Sequence, residues 1–270
     1  GGHGDIGGTF VNETTMDGFT NNGLVSADRS GTTLGVRSAV FTNNAVAEAV
    51  SGGVLEIAPG ASLVNTGTLR ASSGSTLRFV KGSGQVWSNT GTTEINGGTV
   101  ETSGEFATAD FGTITGTGGA FKLSGTVQNT GATLNFPTSV RLDLSGGRVV
   151  GGVINGNVRS VSTSGNVLEG VQINGELDLI SNSGRVTLRS GFGLSGVARL
   201  GNAATIISDQ TQTIESGTFR FETDSPSNIS VTQGSLTFAP GTLVEAINGG
   251  YGRVYHEFSG ESSVTSRGLF

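Results

Sequence analysis

Short runs in which apolar and polar residues alternate recur along the chain, among them GVLEI (53–57), STLRF (75–79), GELDLI (175–180) and GTFRF (217–221). A period of two is the signature of a strand with one face buried, and Gly-, Asn-, Ser- and Thr-rich breaks separate the runs as turns do. No amphipathic stretch of helical period competes with them. The pattern predicts an all-β protein.

The turns repeat as well as the strands. FTNN stands at 19–22 and again at 41–44, and aligned with it are LVNTG (63–67), VWSNTG (86–91) and VQNTG (127–131). This places a recurring Asn at Asn21, Asn43, Asn65, Asn89 and Asn129, with spacings of 22, 22, 24 and 40 residues. The longest gap spans two periods, and ADFG (109–112) lies between with Asp110 in the Asn position. Farther on the Asn fades but a Gly persists, at Gly156, Gly175, Gly196, Gly217 and Gly234. A period near 21 residues over most of the chain argues for a solenoid. The expected fold is a single-stranded right-handed parallel β-helix of about 20–24 residues per coil and roughly 12 coils, in which each strand pairs with its equivalent one coil away.

Register sharpens this expectation. Two residues beyond each repeat Gly (or Ala45) stand Val25, Ala47, Leu69, Thr93, Ile114, Val158, Leu177, Ala198, Phe219 and Leu236, a mainly apolar column that should point inward. Four residues beyond, Leu179, Leu200, Phe221 and Phe238 should do the same. The position between them should face solvent, where Arg70 would lie between Glu48 and Glu94, and Asp178 between Arg159 and Arg199, with Arg199 next to Arg220 as a like-charge neighbour. The recurring Asn tolerates left-handed backbone angles and can bond to its own kind up the axis; the Gly after it would supply positive φ. These Asn are expected to be structural.

Composition narrows the function. Forty-seven Gly in 270 residues without a strict every-third spacing, and only 4 Pro, fit turns rather than collagen. A net charge of −6 and 15 Lys and Arg without a run leave no electrostatic footprint for nucleic acid. The absence of Cys excludes disulfide and thiolate chemistry. No apolar stretch approaches a membrane span in this segment. The start GGHGDI, without Met, reads as that of a processed protein or an excerpt of a longer one.

Candidate chemistry is sparse. Gly2-His3-Gly4 resembles a tripeptide of pectin-hydrolysing β-helix enzymes, but the companion motifs of that family are missing, and Asp5 directly after Gly4 breaks the calcium nonapeptide pattern. Glu176 with Asp178 and Glu222 with Asp224 are carboxylates two apart on a strand, and on a regular outer face they should be solvated. Thr-rich pieces such as TITGTG (113–118) are not confined to one column and do not form an ice-binding array. Trp87, beside a repeat Asn, reads as turn packing. No catalytic residue, metal site or cofactor is expected.

The last twenty residues, YGRVYHEFSGESSVTSRGLF (251–270), lose the repeat and gather aromatics. The chain therefore reads as a β-helix over 1–250 and a C-terminal cap or intersubunit contact segment over 251–270, with Tyr251, Tyr255, His256, Phe258 and Phe270 as the contact candidates. Taken together, FTNNG, LVNTG and VQNTG followed by alternating strands such as TLRASSGSTLRF (68–79) resemble the Gly/Asn/Thr-rich β-solenoid repeats of bacterial surface proteins, adhesins and autotransporter passenger regions among them. The resemblance implies an extracellular or cell-surface location and a structural or adhesive role. Its partners would be other copies of the chain, neighbouring domains of a larger surface protein, or glycans. The competing expectation is a β-helix that binds or cleaves polysaccharide.

Overall fold

The structure, a computed structural model, describes residues 2–7, 16–181, 183–257 and 263–267. It is a parallel β-solenoid of about 11 turns, consistent with a right-handed parallel β-helix. Two compact units make it up: Gly1–Thr126 with Phe136–Arg141, and Val127–Asn135 with Leu142–Phe270.

In the first unit each coil contributes three strands to three parallel stacks. One stack is Gly18–Asn21, Val40–Asn43, Ser62–Asn65 and Val86–Asn89, paired with Asn over Asn throughout. The second begins Leu24–Ala27, Val46–Ala49 and Thr68–Ser72 and runs into the first half of Thr92–Ala107. The third is His3–Ile6, Thr33–Val36, Val54–Ile57 and Thr76–Lys81, continued by the second half of Thr92–Ala107. His3 and Gly4 of the N-terminal Gly-His-Gly thus lie on a strand in register with its neighbour. In the second unit three stacks recur, one of them carrying Val158–Ser160, Leu177–Asp178 and the end of Arg185–Leu200. The C-terminal segment adds two strands in the same manner: Gly252–His256 on Ser227–Val231, and Ser263–Ser266 on Ser235–Phe238.

The predicted inward column is real. Val25, Ala47, Leu69, Thr93, Val158, Leu177, Ala198 and Phe219 are all buried, and consecutive members pair within each unit; Ile114 is left half-buried. The column ends differently from the expectation. Phe219 pairs with Val244 and Phe221 with Ala246, whereas Leu236 and Phe238 belong to another stack, over Gln212 and Ile214. Alternation reveals that Leu236 and Phe238 lie on a half-buried strand, but it carries no information about which stack the strand joins.

Inside the first unit, rings follow one another along the core: Phe79, Trp87, Phe106, Phe111, Phe121 and Phe136, with successive centroids 4.9–5.6 Å apart. Edge-to-face contacts of this kind add to the area they bury. Trp87 is therefore a core residue, 6% exposed, and not turn packing. It stands two positions before Asn89 and so shares the inward side of that strand.

The repeat glycines divide: Gly131, Gly156, Gly217 and Gly234, and Gly112 after Asp110, take the positive φ expected of them, whereas others do not. Gly23, Gly67 and Gly91 do not take positive φ. At Gly67 an added Cβ would lie 2.0 Å from the Ala45 carbonyl oxygen, and at Gly91 2.1 Å from that of Gly67. Gly175 and Gly196 repeat the arrangement, 2.2 and 2.3 Å from the carbonyl oxygens of Gly156 and Gly175. Main chain rests on main chain at this corner, and a methyl group has no room. Gly67→Ala is expected to lower stability by about 2–3 kcal/mol, whereas Gly23→Ala, with nothing within 4 Å, should change it by less than about 0.5 kcal/mol. Urea unfolding of the two variants checks the difference.

Candidate functional site

Strands set by alternation place the recurring Asn side chains on the inward face of a corner, out of water. Asn43, Asn65 and Asn129 are fully buried, Asn21 and Asn89 nearly so. The carboxamides form a row: Asn21 Nδ2 donates to Asn43 Oδ1 at 2.7 Å, Asn43 to Asn65 at 2.7 Å, and Asn65 to Asn89 at 2.8 Å. The second amide hydrogen holds local main chain, as in Asn43 Nδ2 to the Ala45 carbonyl at 3.2 Å and Asn65 Nδ2 to that of Gly67 at 3.2 Å. None of these Asn takes the left-handed backbone expected of a turn residue. Each closes a strand, and its side chain does the turning. At the top, Asn89 Nδ2 donates to the Asp110 carbonyl at 3.3 Å. Asp110 thus fills the Asn position with its backbone, in a 3-10 turn over Thr108–Phe111, while its carboxylate turns to Lys81 and accepts the Ala107 N–H at 2.9 Å. In the second unit Asn129 donates to the Gly151 and Val153 carbonyls at 3.0 Å each.

Outside, charges are paired up the stacks. Arg70 bridges Glu48 at 3.2 Å and Glu94 at 2.5 Å, as the column predicts. A longer ladder, missed in the sequence, runs Asp5–Arg37–Glu56–Arg78–Glu101–Lys122 with contacts of 2.6–3.2 Å. Its signal is present in VLEI, TLRF, TVET and AFKL, one coil apart, where a charge sits between two apolar residues or, at Glu101, between Val100 and Thr102. Asp178 lies in register between Arg159 and Arg199 as predicted, but no close ion pair joins them. Arg159 turns to Asp143 at 2.5 Å, Arg199 to Glu222 at 2.7 Å, and Asp178 accepts the Ile180 N–H at 2.9 Å and the Ser181 hydroxyl at 3.2 Å. A short carboxylate next to a turn is better placed for its own main chain than for a neighbour. The Arg199–Arg220 juxtaposition is relieved because Arg220 has Glu245 at 2.6 Å.

These contacts shift the titration of the ladder. Hydrogen bonding from Arg70 holds the Glu94 carboxyl below its ordinary value despite some burial. At Glu101 burial pushes upward, but Lys122 and Arg78 together overcome it and the net direction is down. The guanidinium of Arg70 is raised, first by its hydrogen bond to Glu94.

The other candidates are not brought together. Asp178 is engaged in its turn, Glu222 with Arg199, and Glu176 and Asp224 are exposed. His3 is exposed, 3.4 Å from Asp5. Among the described residues no group of three or more His, Cys, Asp or Glu is arranged to hold a metal ion. Among the described residues no helix is long and apolar enough to cross a membrane. Tyr251 is 44% exposed, and its hydroxyl accepts from Arg253 at 2.8 and 3.0 Å. With Phe221, Val244, Ala246 and Val254 it lines a cavity of about 480 Å³. Tyr255 and His256 are half-buried on Gly252–His256, and Phe258 and Phe270 lie outside the described residues.

No family model, curated protein or solved structure matches the chain.

Asn43→Ala would remove two links of the buried row at once and leave its neighbours' amides unpaired, so a loss of about 3 kcal/mol is expected. The exposed Asn44, whose amide meets Asn22 at 2.9 Å, should tolerate Ala within about 0.5 kcal/mol. Chemical denaturation measures both. Glu94 and Glu101 titrate below the unfolded-state range, so their contribution is complete above that range and is lost as pH falls through the folded values. The urea midpoint should therefore drop on acidification, and a Glu94→Gln, Glu101→Gln double variant should show a shallower drop.

Proposed function

We propose that the chain is a noncatalytic β-helix module that acts by shape. It serves as an extracellular or cell-surface structural or adhesive element whose partners are further copies of itself, neighbouring domains of a larger surface protein, or glycans. The observation that carries this reading is the engagement of the outward carboxylates. Glu48, Glu56, Glu94, Glu101, Asp143, Glu222 and Glu245 each sit against an Arg or Lys from another coil. General acid and base chemistry asks for the opposite: carboxylates converging in a cleft, one of them held protonated. Such a surface offers long, regular ladders at fixed spacing, which suits repeated weak contacts better than turnover of one substrate.

The Gly/Asn/Thr-rich texture supports the surface location by resemblance. Assembly with further copies draws on the general property of parallel strands that an edge can accept another strand.

Electron microscopy and light scattering over a range of concentrations test this. Particles that associate as concentration rises are expected, with no release of reducing ends from a polysaccharide panel. Isolated single particles at every concentration would sink the assembly reading, and sugar release would overturn the noncatalytic one.

A further inference from the structure

The chain contains five Asn-Gly pairs, at 22–23, 96–97, 155–156, 174–175 and 248–249. In such a pair the Gly nitrogen can attack the Asn side-chain carbonyl, because no Cβ on the following residue hinders the approach. Whether it does depends on how firmly the fold holds the two groups.

Four of the pairs are held. The Gly23 N–H donates to Asn21 Oδ1 at 3.1 Å. The Asn96 amide is fixed by Glu94 at 2.8 Å and Thr117 at 3.2 Å. Asn135, Asn155 and Asn174 form an outer amide row with links of 2.7 and 2.8 Å, and the Gly156 N–H donates to the Asn174 carbonyl at 3.2 Å. Gly175 is packed so closely on the Gly156 carbonyl that a Cβ there would come within 2.2 Å of its oxygen.

The fifth pair is free. Asn248 is exposed in a turn with φ 52°, and Gly249 follows at φ 76° with nothing within 4 Å of where a Cβ would stand. The turn is closed by the next residue, the Gly250 N–H donating to the Ile247 carbonyl at 2.7 Å. Among the described residues neither the Asn248 amide nor the Gly249 N–H has a hydrogen-bond partner.

We propose that Asn248 is a self-modifying site, converted in the folded protein to an aspartyl or isoaspartyl residue ahead of every other Asn-Gly pair. The Gly249 nitrogen gives its proton to solvent and bonds to Asn248 Cγ; the Cγ–Nδ2 bond breaks and ammonia leaves. The five-membered imide then takes up one water, which opens it at either carbonyl. No oxidant or reductant is involved. The product places a new negative charge on the turn beside the cavity lined by Glu245, Gly250 and Tyr251. The isoaspartyl form also inserts a methylene into the main chain of a turn held by one hydrogen bond. This inference stands apart from the functional reading above.

Peptide mapping by mass spectrometry, on native chain held in mildly alkaline buffer, tests it. The Asn248 peptide should gain the mass of one amide-to-acid exchange many-fold faster than the other four pairs, and Asn248→Gln should abolish that fast phase while leaving the rest unchanged. In urea all five should convert at comparable rates. Conversion that begins at another pair in the native chain, or a native rate at Asn248 no greater than at the other four, would overturn the proposal.

Discussion

A carboxamide buried at the corner of a coil has to find partners for two donors and an acceptor, and in a stack of coils the readiest source is the same residue one turn away. The row from Asn21 to Asn89 meets this condition link by link, with Asn43 and Asn65 each giving one hydrogen up the stack and one to nearby main chain. A coil one residue too long or too short would displace the amide from its partner and turn the flanking strands inside out. The row therefore acts on register, and through register on everything aligned with it. The glycine corner two residues on, the apolar column beyond that, and the outward charge beside it all inherit their alignment from the Asn. Hydrogen-bonded neighbours along the row are 22, 22 and 24 residues apart. In the second unit, where the Asn repeat fades, bonded neighbours in successive coils range from 16 residues apart at Asp143–Arg159 to 28 at Ser235–Ser263. Other polar plugs serve there, such as Asn166 held by Ser160 and Arg185, and Gln212 by Leu188 and Ser208.

What could be read in the sequence follows from this. Where Asn repeats, strand positions, inward residues and the Glu48–Arg70–Glu94 ladder were all legible, because a single recurring residue fixes the phase. Past Gly217 the phase was lost. Leu236 and Phe238 alternate as convincingly as Val244 and Ala246, and the choice between them depends on coil length, which alternation does not encode. Asp178 and Arg159 illustrate a second limit. Column neighbours are given by periodicity, but a short side chain beside a turn chooses between neighbour and own backbone by local geometry. The glycines illustrate a third, since a residue kept for positive φ and one kept for a carbonyl 2.0 Å from a missing Cβ look the same in sequence.

The outer surface explains why the candidate chemistry was sparse. Carboxylates held by Arg on neighbouring coils contribute to cohesion between turns, each by a modest amount when partly exposed, and together they make lines of alternating charge. The fold's interior is specified by amides and rings, and its exterior by charge pairs.

The most direct test of the central claim is the hydrogen exchange of the Asn side-chain amides themselves, followed by NMR. If the buried row fixes the coils, the Asn43 and Asn65 carboxamide protons should exchange as slowly as the main-chain amides of Val40–Asn43 and Ser62–Asn65, and far more slowly than those of Asn44. Exchange of Asn43 and Asn65 at the rate of Asn44 would contradict the account.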